Sequence, residues 1–177
     1  MLTVVLGGAR SGKTALAESM GRRASGPVAY IATSPRIAGD DDLDSRIERH
    51  RADRPTTWET IEEQLDLASA VNRAGDGFVI IDCLTTWVNN LMYHDHTEID
   101  VLAATDAALM ALAERANPTV AISNEVGLGI VPDNLLARSY RDTLGRVNQR
   151  WVAASDHTLF MVAGKAFPLT DPHQLLR

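Results

Sequence analysis

Little in this sequence can serve as a staple or an anchor. Of 177 residues only Cys83 is a cysteine, so an internal disulfide is excluded and a reducing compartment, the cytoplasm, is expected. No apolar run approaches the ~18 residues that cross a bilayer, and no membrane insertion is expected. The stretch from Met1 to Leu6 lacks the basic segment of a secretory leader. Aromatic residues make up 5% and the net charge is −6. The sequence therefore offers neither a stacking platform nor a basic stripe, and no nucleic-acid partner is expected. Lysine is scarcer still: Lys13 and Lys165 stand among 17 cations, the rest arginine. A coding bias toward arginine accounts for the skew, and it makes a lysine inside a motif conspicuous. What remains is ordinary globular composition, 45% hydrophobic and 23% charged. A chain of this length can bury a core without a metal or disulfide, and a single domain over residues 1–177 is expected.

Short apolar runs rich in Val and Ile recur at Leu2–Leu6, Val28–Ala32, Phe78–Ile81, Thr119–Ile122 and His157–Val162. Their continuity predicts strands buried on both faces. Longer amphipathic stretches separate them: Lys13–Ala24, Asp44–Arg54, Thr60–Ala74, Ile99–Arg115 and Asn134–Ala154. In the fourth of these Leu102, Leu109 and Leu112 fall at helical spacing, giving one face that packs. Strands alternating with helices predict an α/β fold, a mostly parallel sheet with helices on both faces. Ligands of such sheets bind at the carboxyl ends of the strands.

The residues just past the first strand are therefore informative. Gly7-Gly8-Ala9-Arg10-Ser11-Gly12-Lys13-Thr14 satisfies G-x-x-x-x-G-K-[ST] between a strand and a helix start, where the mechanism requires it. Glycines let successive N–H groups turn inward around phosphate oxygens, and the helix directs its positive end at them. Lys13 reaches the outer phosphates and the Thr14 hydroxyl can ligate Mg²⁺. A chance match arises in roughly one chain in a thousand of this composition. The expected fold is thus a RecA-like P-loop NTPase, with ATP or GTP as substrate and Mg²⁺ beside it. Asp82 ends the run Phe78-Val79-Ile80-Ile81. It reads either as the second anchor of the Mg²⁺ shell or as a helix cap. The N-K-x-D signature of guanine-reading switches is absent.

After the second strand come Thr33-Ser34-Pro35, an acidic run at 40–42, and Arg46-Ile47-Glu48-Arg49-His50-Arg51-Ala52-Asp53-Arg54-Pro55. As a helix, this last segment aligns Arg46, His50 and Arg54 on one stripe. Pro55 ends it near Arg54. Two readings stand: a solvated face whose arginines pair with neighbouring carboxylates, or an anion site around an imidazole. In the second, nearby positive charge keeps His50 neutral and nucleophilic. Such a histidine can attack the α-phosphorus of a nucleotide, with pyrophosphate leaving.

The loop, the Ile31-Ala32-Thr33 block and the histidine segment are joined by three further groups. These are Trp58, Thr60 and Glu62; Ser123-Asn124-Glu125-Val126-Gly127 with Gly129-Ile130-Val131-Pro132; and Arg141-Asp142 with Gly145-Arg146-Val147-Asn148-Gln149. In this order, almost end to end, they resemble the bifunctional adenosylcobinamide kinase / adenosylcobinamide-phosphate guanylyltransferase family of cobalamin assembly. The resemblance implies phosphorylation of the aminopropanol hydroxyl of adenosylcobinamide. GMP then passes from GTP, by way of a histidine, onto that phosphate to give adenosylcobinamide-GDP. It places the covalent histidine at His50. Nucleotide contacts are implied at Gly7 through Thr14, Thr33 to Pro35, Arg51, Ala52, Asp53, Arg54, Glu62 and Asp82. It also implies a homo-oligomer, a trimer. Two departures stand out: Arg49 occupies a place where some relatives carry a second histidine, and Asp82 one where some carry Glu. The end of the chain, Met161 to Leu169, follows the family loosely and receives no role.

His94 and His96 fit a polar surface loop better than a metal pair, and His157 and His173 read as structural or exposed. Glu125 reads equally as a residue orienting a hydroxyl or metal-bound water and as a carboxylate satisfying loop amides. Two other functions fit parts of the pattern: a small-metabolite P-loop kinase without a covalent step, and a nucleotide-gated module of the recombinase type.

Overall fold

The computed structural model describes residues 1–35, 51 and 54–176. Seven strands form one sheet: β1 (Leu2–Gly7), β2 (Val28–Ala32), β3 (Glu59–Glu62), β4 (Phe78–Asp82), β5 (Thr119–Asn124), β6 (His157–Val162) and β7 (Lys165–Pro168). Their order is β3-β2-β4-β5-β1-β6-β7. All pairs are parallel except β6–β7, where the chain turns back on itself. The helices are α1 (Lys13–Arg23), α2 (Leu67–Arg73), α3 (Leu84–Tyr93), α4 (Glu98–Ala113) and α5 (Leu135–Ala154), followed by a 3₁₀ turn at Pro172–Leu176.

Alternation along the strands divides the core in two. Val4, Leu6, Ile31, Val79, Ile81 and Ala121 pack with α2 through α5 around the fully buried Trp87 and Trp151. Val5, Tyr30, Ile80, Val120 and Ile122 point the other way, against Ala17 of α1. Both faces being covered, the central strands carry no polar alternation, which is why they read as continuous apolar runs.

Three elements differ from the expected pattern. Thr60–Ala74 is not one helix. Glu59–Glu62 pairs with β2 as an edge strand in which Ile61 alone is buried, and its flanking carboxylates keep that open edge from recruiting another strand. The chain then turns at Glu63, whose carboxylate accepts from the N–H groups of Leu65 and Asp66 at 3.1 and 3.0 Å. Only after this turn does α2 begin, capped by Asp66, which accepts from Ser69 N–H. Helix α3 and strand β7 are additional elements. The first buries Leu84, Trp87, Val88 and Leu91 at helical spacing. The second is exposed throughout and depends on the tight turn at Ala163-Gly164, where both residues have positive φ. Segment 44–54 lies outside the described residues apart from Arg51, which is helical, and Arg54. Helix α4 forms as expected, started by a capping box between Thr97 and Asp100.

The six parallel strands deliver their carboxyl ends to one edge. Register aligns Glu62, Ala32 and Asp82 across β3-β2-β4, and Asn124, Gly7 and Met161 across β5-β1-β6. Asn90 holds part of this edge from beneath. Its buried amide donates to the carbonyls of Thr33 at 2.8 Å and Gln64 at 3.2 Å. In Asn90→Ala both carbonyls lose this donor, that of Thr33 in a buried site, at a cost of about 2 kcal/mol. We expect a thermal midpoint lowered by about 4–8 °C, with Asn72→Ala on the exposed face of α2 unchanged.

Candidate active site

The phosphate loop is preformed. Gly7 has φ 150° and Gly12 φ 99°, conformations that glycine adopts without strain. At Gly7 close approach excludes any side chain, since a Cβ would lie 2.4 Å from the Met161 carbonyl oxygen of β6. Gly12 is the N-cap of α1, no side chain caps the helix, and its first turn holds no carboxylate. The helix therefore presents free N–H groups and positive potential to an anion. Lys13 is buried and folded back over the loop, donating to the carbonyls of Gly7 at 2.9 Å and Gly8 at 2.7 Å, with Ser11 Oγ at 3.5 Å. Burial pushes its ammonium below the usual lysine range, while Cys83 and Asp82 oppose that shift. Gly8, Ala9 and Arg10 are exposed at the mouth.

Asp82 ends β4, with β5 lying between that strand and the loop-bearing β1. Its carboxylate still reaches the loop: Oδ2 accepts from Thr14 Oγ1 at 3.0 Å and from Tyr30 OH at 2.5 Å. It does not cap α3, whose N-cap is Cys83. The Thr14 hydroxyl spends its proton on Asp82 and keeps its lone pairs. Thr14 Oγ and Asp82 Oδ thus make a pair of hard oxygen donors at the mouth of a phosphate site, a set that fits Mg²⁺. Among the described residues no group of three or more His, Cys, Asp or Glu could hold a metal.

The other expected contacts are distributed unevenly. Thr33 is fully buried, and its hydroxyl accepts from Cys83 N–H and donates to the Cys83 carbonyl, both at 2.8 Å. Its side chain is thus committed to locking β2 to β4. Ser34 and Pro35 lie half-buried beyond it. Glu62, at the end of β3, is 3.8 Å from Arg51. Arg54 stacks on Tyr30, its guanidinium carbon 3.4 Å from the ring centroid. His50, Ala52 and Asp53 lie outside the described residues. Glu125 accepts from Gly127 N–H at 2.5 Å, and its own N–H donates to the Gly7 carbonyl at 3.3 Å. Its carboxylate therefore satisfies a loop amide.

Two supports were not anticipated from the sequence. Tyr30 sits in a strand otherwise apolar, and a phenol in such a run is itself a signal that a buried partner awaits it. Behind β5, Asn148 of α5 accepts from Ser123 Oγ at 2.6 Å and donates to the Asn124 carbonyl at 3.1 Å. Thr85 of α3 meanwhile accepts from Asn124 N–H at 2.7 Å. This network fixes the turn beside the phosphate loop, and it links the Ser-Asn-Glu and Val-Asn-Gln blocks that lie far apart in sequence. His94 and His157 are exposed, and His96 Nδ1 meets the Leu91 carbonyl at 3.1 Å.

A phosphate loop at the carboxyl edge of this sheet, with a strand-end acid bonded to its threonine, defines a P-loop nucleotide-binding protein of RecA-like architecture. Solved structures agree on the fold. The RadB recombinase superposes with a TM-score of 0.52 at 17% identity, covering 90% of this chain and 73% of its own. A KaiC-like protein from Pyrococcus horikoshii gives 0.50 at 11% identity, covering 90% and 69%. The family model for cobinamide kinase / cobinamide phosphate guanyltransferase matches residues 3–169, and the chain belongs to that family. Two bifunctional adenosylcobalamin biosynthesis proteins are similar across nearly their whole length. CobP of Pseudomonas aeruginosa is 39% identical over 96% of this chain and 97% of its own. CobU of Salmonella typhimurium is 40% identical over 93% and 97%. No helix among the described residues is long and apolar enough to cross a membrane.

The glycines of the loop separate by experiment. Gly7→Ala forces a methyl into the Met161 carbonyl, and we expect loss of nucleotide binding together with a lowered melting temperature. At Gly8 an added Cβ meets nothing within 4 Å. Gly8→Ala should melt within about 1 °C of the parent, a surface-like change.

Proposed function

We propose that this chain phosphorylates adenosylcobinamide with a nucleoside triphosphate. It then transfers GMP from GTP to the new phosphate, through a GMP–His50 intermediate, to give adenosylcobinamide-GDP. The observation that carries this reading is the convergence of Lys13, Thr14 and Asp82 on the phosphate loop of a chain matched to its family over residues 3–169.

Each residue has a distinct part. The loop amides and the α1 N-terminus bind the β- and γ-phosphates. Lys13 exchanges its carbonyl partners for phosphate oxygens and follows the charge as it develops on the transferred group. Thr14 and Asp82 would hold Mg²⁺, which when bound neutralises phosphate charge. In the first reaction the acceptor hydroxyl attacks the γ-phosphorus in line with the leaving diphosphate. In the second, His50 attacks the α-phosphorus of GTP and a P–N bond replaces the P–O bond to pyrophosphate. An oxygen of the acceptor phosphate then takes the GMP and frees the imidazole. Splitting one displacement into two is what a nucleophilic side chain contributes. Arg51, which follows His50 in the sequence, lies 3.8 Å from Glu62 at the end of β3. The same reading includes assembly as a trimer and a cytoplasmic location.

GTP labelled with ³²P at the α-position should leave acid-labile, base-stable label on the denatured protein. In His50→Ala that label should fall to background while adenosylcobinamide is still phosphorylated. Label persisting in the variant moves the nucleophile elsewhere, and a parent that never labels leaves a simple kinase. Lys13→Ala should lower kcat for phosphoryl transfer about 10²–10³-fold, measured by steady-state kinetics with either triphosphate. Unchanged kinetics would remove the loop from the mechanism.

A further inference from the structure

Tyr30 is 1% exposed, yet it ends in a polar atom aimed at the functional edge of the sheet. Its hydroxyl donates to Asp82 Oδ2 at 2.5 Å, the same oxygen that Thr14 Oγ1 reaches at 3.0 Å. With both donors on one oxygen, Asp82 Oδ1 has no protein donor among the described residues. A carboxylate with one oxygen pinned on two sides cannot rotate about its terminal torsion without losing a hydrogen bond. That torsion is otherwise broad and soft. Above the ring lies Arg54, its guanidinium carbon 3.4 Å from the centroid and its Nε buried without a hydrogen-bond partner. A guanidinium so placed is held against the aromatic face.

We infer that Tyr30 is a positioning residue for Asp82. Its phenol fixes one carboxylate oxygen so that the other is presented to the cation that accompanies the nucleotide, and Arg54 holds the phenol in place by stacking on its ring. Neither residue touches the reacting atoms in this role. Arg54 acts on Tyr30, and Tyr30 acts on Asp82. Packing alone needs no hydroxyl, and phenylalanine would fill the same space in β2 without a polar atom to satisfy. The inference rests on the phosphate-loop reading of the site but on neither the corrinoid substrate nor His50.

The test is Tyr30→Phe, which keeps the ring and its stacking and removes one donor. Binding of a fluorescent N-methylanthraniloyl GTP is titrated first in EDTA and then with rising Mg²⁺. We expect the affinity in EDTA to stay within about twofold of the parent. The Mg²⁺ concentration giving half of the metal-dependent gain should rise about 10-fold, the scale seen when an outer partner of a metal ligand is removed. In the kinase assay the same shift should appear as a higher half-saturating Mg²⁺ with KM for adenosylcobinamide unchanged. A Mg²⁺ curve superimposable on the parent overturns the inference, and so does an equal loss of affinity in EDTA, which would mark a merely structural residue. Should Tyr30→Phe fail to fold, Arg54→Lys carries the test by keeping the charge and losing the planar stack. A rightward shift of the Mg²⁺ curve supports the inference, and an unmoved curve overturns it. Because binding of the analogue needs no corrinoid, this test can fail while the proposed chemistry stands, and the reverse also holds.

Discussion

One oxygen atom, Asp82 Oδ2, ties the end of β4 to two elements some fifty or more residues earlier in the chain. It accepts from Thr14 at the start of α1 and from Tyr30 in β2, while its own residue ends β4. Because β5 separates β4 from the loop-bearing β1, the acid and the loop do not meet across a direct strand pair. Side chains must bridge that gap, and the Thr14–Asp82 bond does so. Without it the loop would still bind anions through its amides, but the metal ligands would have no fixed relation to the phosphates.

The edge that carries these groups is held by polar contacts that face inward. Thr33, Asn90, Ser123 and Asn148 are all buried, and each directs its hydrogen bonds at backbone or at another side chain of the fold. Burying such groups is costly unless they are satisfied, so the network specifies one arrangement of the strand ends and penalises the rest. Tyr140 extends it, donating to the Thr85 carbonyl at 3.0 Å, and burial pushes its own hydroxyl up to about 12. The apolar core below supplies the driving force, and this polar layer supplies the geometry.

The central strands and α1 were legible because local pattern and tertiary role agree there: continuous apolar runs are what a doubly covered strand must be, and the glycine-rich motif needs a strand before it and a helix after it. Glu59–Glu62 was not legible as a strand. Its pattern is four residues long with a single buried position, Ile61, and what makes it extended is pairing with β2, a contact remote in sequence. Helix α3 did carry helical spacing, but over ten residues opening directly at the end of β4, where the strand run masks its start. Among site residues the loop could be read because its chemistry is encoded in consecutive positions. Thr33 stood in the same stretch as residues expected at the nucleotide, and only the structure reveals that its hydroxyl is committed to Cys83. Tyr30 and Asn148 act through partners 52 and 25 residues away, and no local pattern records such pairs.

The residues at this edge therefore divide by what they have left to give. Thr33, Asn90 and Asn148 have spent their hydrogen bonds on the scaffold. Lys13 has not. Its partners are two peptide carbonyls and a hydroxyl, all neutral, and a phosphate oxygen offers it a charge-assisted bond roughly twice as strong. The uncapped start of α1 is in the same position, with amides that lack side-chain acceptors. Nucleotide binding thus exchanges weak neutral partners for strong anionic ones without rebuilding the loop. The buried lysine, whose charge burial alone disfavours, gains the counter-charge that stabilises it. Preorganisation of this kind places the attraction where charge develops during transfer, which is the condition for raising the rate and not merely the affinity.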